Sequence, residues 1–145
     1  MLWKKLVLVL FVLFSCIACR SANEGKTVTP PSDPNHPATI ELDVYSGRPN
    51  PNWIPTAPER TEIGQHFQNL TALPTLPAVP DNLGYRGFLI HYPDGTIEVR
   101  VYHGTIFITR AGHTDAYQDS HALENWLKEQ ARVHGEGDIL KATGQ

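Results

Sequence analysis

Residues 88–108 read FLIHYPDGTIEVRVYHGTIFI, and the fold turns on how they pair. Two short turn signals divide the stretch, Asp94-Gly95 and His103-Gly104, each flanked by β-branched and aromatic residues. With Asp94-Gly95 as a two-residue turn, Tyr92 faces Ile97, Ile90 faces Val99 and Phe88 faces Val101. With His103-Gly104 as the next, Val101 faces Ile106 and Val99 faces Ile108. One face then stays apolar across three strands. A slip of one residue would turn every one of these side chains to the other face. The second face carries His91, Glu98, Arg100 and Tyr102, with Leu89 and Phe107 among them. Arg100 stands opposite Phe107, where its aliphatic stem can cover the ring.

On the N-terminal side, residues 38–45 (ATIELDVY) alternate. Ile40, Leu42 and Val44 point one way, and Glu41, Asp43 and Tyr45 the other, as in a half-buried strand. Its expected place is beside the meander's edge. Thr56, Pro58 and Glu59 form a helix start with a capping box. Ile63, Phe67 and Leu70 follow at helical spacing, and Pro74 ends the run. Residues 74–82 (PTLPAVPDN) are an extended connector whose prolines block both helix and ladder. Beyond the meander, Asp119 or Ser120 caps a helix over 120–134 with Leu123, Trp126, Leu127 and Ala131 on its inner stripe. Gly135 stops it. The expected fold is α+β in the order β-α-β-β-β-α, a mainly antiparallel four-stranded sheet with both helices on one face.

The chain begins MLWKKLVLVLFVLFSCIACR. Lys4 and Lys5 precede an apolar run over 6–14 and then small residues, the plan of a secretory signal. The run is about half the length of a bilayer-spanning helix. Residues 15–19, SCIAC, resemble the lipobox of bacterial lipoproteins, with Ala18 before the cysteine and Cys16 where that family usually carries Leu. The resemblance implies that residues 1–18 leave as a signal peptide and that Cys19 is lipidated, tethering the protein to a membrane. Arg20 after the cysteine implies the outer membrane in a host that has two. Ordinary cleavage after Ala18 is the alternative. Residues 20–37 are poor in apolar side chains and rich in Pro, Ser, Thr and Asn, so 19–37 reads as attachment point and disordered tether. A globular domain over 38–140 and a frayed tail over 141–145 follow. Cys16 and Cys19 are the two cysteines, so the mature domain has no disulfide and rests on its hydrophobic core. The formal charge is −3 and becomes more acidic once Lys4 and Lys5 depart, which argues against a nucleic-acid partner.

The chemistry-bearing residues are sparse. The loop over 45–55, YSGRPNPNWIP, is stiffened by Pro49 and Pro51 and turned at Gly47. A rigid loop serves two readings: a clasp that plugs Trp53 into the core, or a preorganised binding surface made of Arg48, Asn50, Trp53, Tyr85 and Arg86. Of the seven histidines, His113, two residues before Asp115, is the one weighed as a metal ligand, and no dense His cluster accompanies it. His91 opposite Glu98 reads as a cross-strand pair. No HExxH, CxxC, GxSxG or phosphate-binding glycine loop occurs. Ser46 lies in S-G-R, and Glu41 with Asp43 is what alternation alone places on a solvent face. No catalytic residue, metal or cofactor is expected.

Two blocks, YSGRPNPNW over 45–53 and LGYRGF over 83–88, resemble the paired blocks of a small uncharacterised bacterial lipoprotein domain. That family has no established activity, so the resemblance implies domain limits and no mechanism. The expected function is that of a lipid-anchored protein of the cell envelope, facing the periplasm or exterior, that binds a protein or envelope component without catalysis. A small hydrolase-like enzyme and a secreted soluble interaction or inhibitor domain are the alternatives.

Overall fold

The computed structural model describes residues 38–145. The expected signal peptide, lipidation at Cys19 and tether, residues 1–37, lie outside the described residues.

The meander forms in the register its apolar face requires. Strands β4 (Phe88–His91), β5 (Ile97–Tyr102) and β6 (Thr105–Arg110) are antiparallel, with Ile90 opposite Val99, Phe88 opposite Val101, Val101 opposite Ile106 and Val99 opposite Ile108. The His103-Gly104 turn has both residues at positive φ, 44° and 73°, the conformation that matches the twist of its strands. Strand β1 (Thr39–Leu42) docks on the outer edge of β4, with Ile40 opposite Ile90 and Leu42 opposite Phe88, which completes a four-stranded apolar face.

The sheet is larger than the expected four strands. Among the described residues it has seven, all antiparallel, in the order β2 (Asn52–Trp53), β1, β4, β5, β6, β7 (His113–Gln118), β3 (Thr71–Ala72). Strand β7 (His113–Gln118) follows β6 through a second positive-φ turn, Ala111-Gly112. Its inward positions are His113, Asp115 and Tyr117, opposite Arg110, Ile108 and Ile106. Only Tyr117 among them is apolar, so no hydrophobic alternation marks this strand. Strands β2 (Asn52–Trp53) and β3 (Thr71–Ala72) are two residues each, too short for any period to show.

Among the described residues three helices, rather than two, contribute to the core. Helix α1 (Ala57–His66) has the expected capping box: Thr56 Oγ accepts from the Glu59 N–H, and a Glu59 carboxylate oxygen accepts from the Thr56 N–H at 2.6 Å. It ends earlier than Pro74, and Asn69 takes a positive φ of 54° as the chain turns into β3. Phe67 and Leu70, beyond the helix end, are still buried. Helix α2 (Leu123–Val133) is capped by Asp119, whose carboxylate accepts from the N–H groups of Leu123 and Glu124 at 2.8 and 2.9 Å. At its far end Gly135 (φ 94°) donates to the Arg132 carbonyl and Glu136 to that of Ala131, a Schellman stop. The chain then forms α3 (Gly137–Ala142), anchored by the fully buried Leu140. Residues 141–145 were expected to fray. Instead α3 runs through Ala142, and Lys128 Nζ donates to Gln145 Oε1 at 2.8 Å, because burying Leu140 brings the chain end against α2.

The core lies between the helices and the inward sheet face, with Leu123, Leu127, Ala131, Ile63 and Phe67 against Ile40, Leu42, Ile90, Val101 and Ile106. The outward face is also partly closed. Leu89, Phe107 and Ala116 are buried there, with Arg100 opposite both Leu89 and Phe107. Leu73 joins this face, since its N–H continues the β3 ladder onto the Ala116 carbonyl at 2.8 Å. The connector over 73–87 then travels from the β3 edge to the start of β4. It arrives at Gly87, φ 95°, where a β-carbon would collide with the Val101 carbonyl oxygen. Only glycine fits there.

Candidate functional site

The two blocks singled out in the sequence meet in space. Backbone hydrogen bonds join the second block to the chain just ahead of the first: Arg86 N–H donates to the Asp43 carbonyl at 2.8 Å, and Asp43 N–H donates to the Gly87 carbonyl at 3.0 Å. At this junction Asp43, 4% exposed, lies between two guanidinium groups. Arg86 Nη2 donates to Asp43 Oδ1, and Arg100 Nη1 donates to Asp43 Oδ2 at 2.7 Å. Arg86 also donates to the Tyr45 carbonyl at 2.9 Å and to Ser46 Oγ at 3.3 Å, and Arg100 to the Arg86 carbonyl at 3.0 Å. Burial by itself raises the Asp43 pKa. The hydrogen bonds and charges of Arg86 and Arg100 outweigh it and hold the carboxyl below its ordinary value.

Asn50 ties the loop base to this cluster through four hydrogen bonds. Its Oδ1 accepts from the N–H groups of Val44 (3.0 Å) and Tyr45 (2.7 Å). Its Nδ2 donates to Glu41 Oε1 (2.7 Å) and Asp43 Oδ1 (3.2 Å). Glu41 in turn accepts from His91 Nε2 at 3.1 Å, and His91 faces Glu98 across the strands. The side chain of the half-buried Asn50 thereby has all four of its hydrogen-bonding positions filled.

The remaining site residues divide between interior and surface. Trp53 is 8% exposed, stacked on His134 with ring centroids 5.0 Å apart and edge-on to Phe88 at 6.3 Å. His134 Nε2 donates to Glu59 Oε1 at 2.9 Å, so the Trp53 contact, the α1 cap and the α2 stop are one assembly. Tyr85 is also buried, and its hydroxyl donates to Glu124 Oε1 at 2.8 Å. Glu124, 6% exposed, accepts from the Gly104 N–H at 3.0 Å and has Lys128 Nζ at 3.6 Å. Burial pushes the Tyr85 hydroxyl upward, and the Glu124 charge adds to the rise. Burial also raises Glu124, but the hydrogen bonds from Gly104 and Tyr85 and the Lys128 charge bring it below its ordinary value. No sequence spacing announced Glu124, because it sits one residue from the inner stripe of α2 on a helix expected to be solvated there.

Residues 46–49 are exposed above this base. The Arg48 guanidinium lies over the Tyr45 ring, 3.5 Å from its centroid. Of the five residues expected to form a surface, Arg48 alone stands outside. Asn50 and Arg86 hold the loop, and Trp53 and Tyr85 belong to the interior, because the strand ahead of the loop and β4 bring both rings under the helices. Among the described residues, no three His, Cys, Asp or Glu side chains converge as metal ligands would.

These carboxylates give a direct acid-stability prediction. Asp43, Glu59 and Glu124 all have folded pKa values below their ordinary ones. For Glu59, burial again opposes, and the Thr56 cap and His134 prevail. A depressed folded pKa stabilises fully above the unfolded value, about 4, and is lost as pH falls through the folded value. Denaturant midpoints should hold between about pH 7 and 5 as far as these groups are concerned and fall steeply below about pH 4. Equal midpoints at pH 5 and 3 would contradict the network.

No protein-family model, curated protein or solved structure matches this chain.

Proposed function

We propose that this chain is an exported, lipid-anchored module of the cell envelope that binds a protein or envelope component without catalysis, presenting the Arg48 loop to it. The observation that supports this most is the contrast between the loop's base and its tip. Asp43, Arg86, Arg100 and Asn50 spend their hydrogen-bonding capacity on one another and on the loop backbone. The Asp43 carboxylate, held by two guanidinium groups and an amide, is committed to the fold rather than free for acid–base work. Residues 46–49 stay exposed on that fixed base. A guanidinium stacked on an aromatic ring keeps its N–H edge for a planar anionic group, and a preordered loop loses little entropy on binding. The likeness of both blocks to the uncharacterised lipoprotein domain agrees with this reading, as does the signal-like N-terminus with Cys19. No helix among the described residues is long and apolar enough to cross a membrane; the attachment in this proposal is the lipid at Cys19.

Two measurements test it. Palmitate labelling of the full chain should be abolished by Cys19→Ser; persistent labelling would remove the lipid anchor. A photo-cross-linker at Ser46 in membranes of the native host should give an adduct that Arg48→Ala abolishes. Arg48→Ala should change the stability of the domain by no more than about 0.5 kcal/mol, as an exposed substitution. An adduct that survives Arg48→Ala would take the tip out of the binding surface.

A further inference from the structure

Among the described residues the large apolar side chains left exposed are Ile54, Leu76, Val79, Leu83 and Val133. Three of them, Leu76 at 56%, Val79 at 49% and Leu83 at 85%, lie in the connector from β3 to β4, which reads LPTLPAVPDNL over 73–83. Pro74, Pro77 and Pro80 recur there at every third position. Each ring fixes its own φ and drives the residue before it, Leu73, Leu76 or Val79, into extended backbone. Among the described residues every peptide bond is trans, and 76–81 join neither helix nor ladder. These constraints select polyproline II, with three residues per turn. Leu76 and Val79 then share one edge, and Pro77 and Pro80 another. Over 76–80 the exposure agrees with that period: Pro77 and Pro80 are half-buried, while Leu76 and Val79 stand out; Pro74, Thr75 and Ala78 are exposed as well.

We infer that residues 74–83 are a presented polyproline-type ligand, taken up by a second protein through an aromatic-lined groove with a basic residue facing Asp81. Such grooves recognise this conformation because it is formed before binding. Asp81 follows the last proline, exposed and without an ion pair to another described residue, and supplies the charge that a basic groove end complements. A bilayer is the poorer occupant, since interfacial segments carry Lys, Arg and Trp, and 73–83 has none of these. A second copy is also poorer: the partly exposed aromatic residues among the described ones, Tyr45, Tyr92, Tyr102 and Trp126, pack against the core. The segment continues into the Arg48 loop, because Arg86 donates both to the Asn82 carbonyl at 3.4 Å and to Ser46 Oγ at 3.3 Å. The partner thus meets one surface with two parts, and this second part goes beyond the loop reading.

The test places a photo-cross-linker singly at Thr75, Leu76, Ala78 and Val79 in the full chain, in its native host. The expected result is an adduct from Leu76 and Val79 with one protein, mapped to a peptide containing Trp, Tyr or Phe, and little from Thr75 and Ala78. Val79→Asp should fold as the parent does and reduce the Leu76 adduct about tenfold. Adducts with lipid, with another copy of this chain, equally from all four positions, or none at all would each overturn the inference. Loss of the Ser46 adduct while these persist would refute the loop reading alone, and the reverse would refute this one alone.

Discussion

Asp43→Ala should destabilise the domain by about 3–5 kcal/mol, the cost of breaking a buried ion pair by removing one partner. Asp43 is the shared acceptor of Arg86, Arg100 and Asn50, and both arginine side chains are largely buried, at 14% and 17% exposure. Alanine would leave two guanidinium groups facing each other with no anion between them. The loss is a large part of the 5–15 kcal/mol that holds a domain of this size together. Urea melts at neutral pH measure it. Asp43→Asn keeps an acceptor but removes the charge, so it should fall between parent and alanine. A loss below about 1 kcal/mol for the alanine variant would place the cluster in solvent, as a surface ion pair is.

Trp53→Ala should cost about 3–5 kcal/mol, the range for truncating a large buried aromatic. The ring fills the space between Phe88 and His134, and no segment nearby is free to collapse into it: Pro51 and Pro55 stiffen the chain on either side, and the α1 cap fixes His134 through Glu59. A second variant separates packing from polarity. The indole N–H is buried without a hydrogen-bond acceptor among the described residues. Trp53→Phe therefore loses no hydrogen bond and should cost clearly less than alanine. Equal losses for Phe and Ala would show that the N–H has a partner. Near-parent stability for Trp53→Ala would mean that the loop is dispensable to the fold.

The two variants divide YSGRPNPNWIP into parts that the residue string alone left as alternatives. Trp53 near one end is core, Asn50 and the Asp43 cluster are a polar clamp, and residues 46–49 are a continuous exposed tip. The two readings of the loop, clasp and surface, thus apply to different residues within it. Loss of stability in Asp43→Ala and Trp53→Ala with none in Arg48→Ala is the pattern this division requires.

What the sequence by itself determined is local. The register of the meander follows from a two-residue alternation between two tight turns. The α1 start follows from Thr56 and Glu59 three residues apart, and the α2 stop from Gly135. In each case the interacting groups are a few residues apart, or repeat with the period of the backbone. Strand β7, α3 and the two-residue strands escaped because they are too short or too polar for a period to emerge. Only the tertiary structure decided the partners of Asp43, Glu59 and Glu124. Asp43 lies 43 positions from Arg86 and 57 from Arg100, Glu59 lies 75 from His134, and Glu124 lies 39 from Tyr85. Alternation can place a carboxylate on a face, but whether that carboxylate meets water or two arginines depends on which loops the folded sheet brings over it.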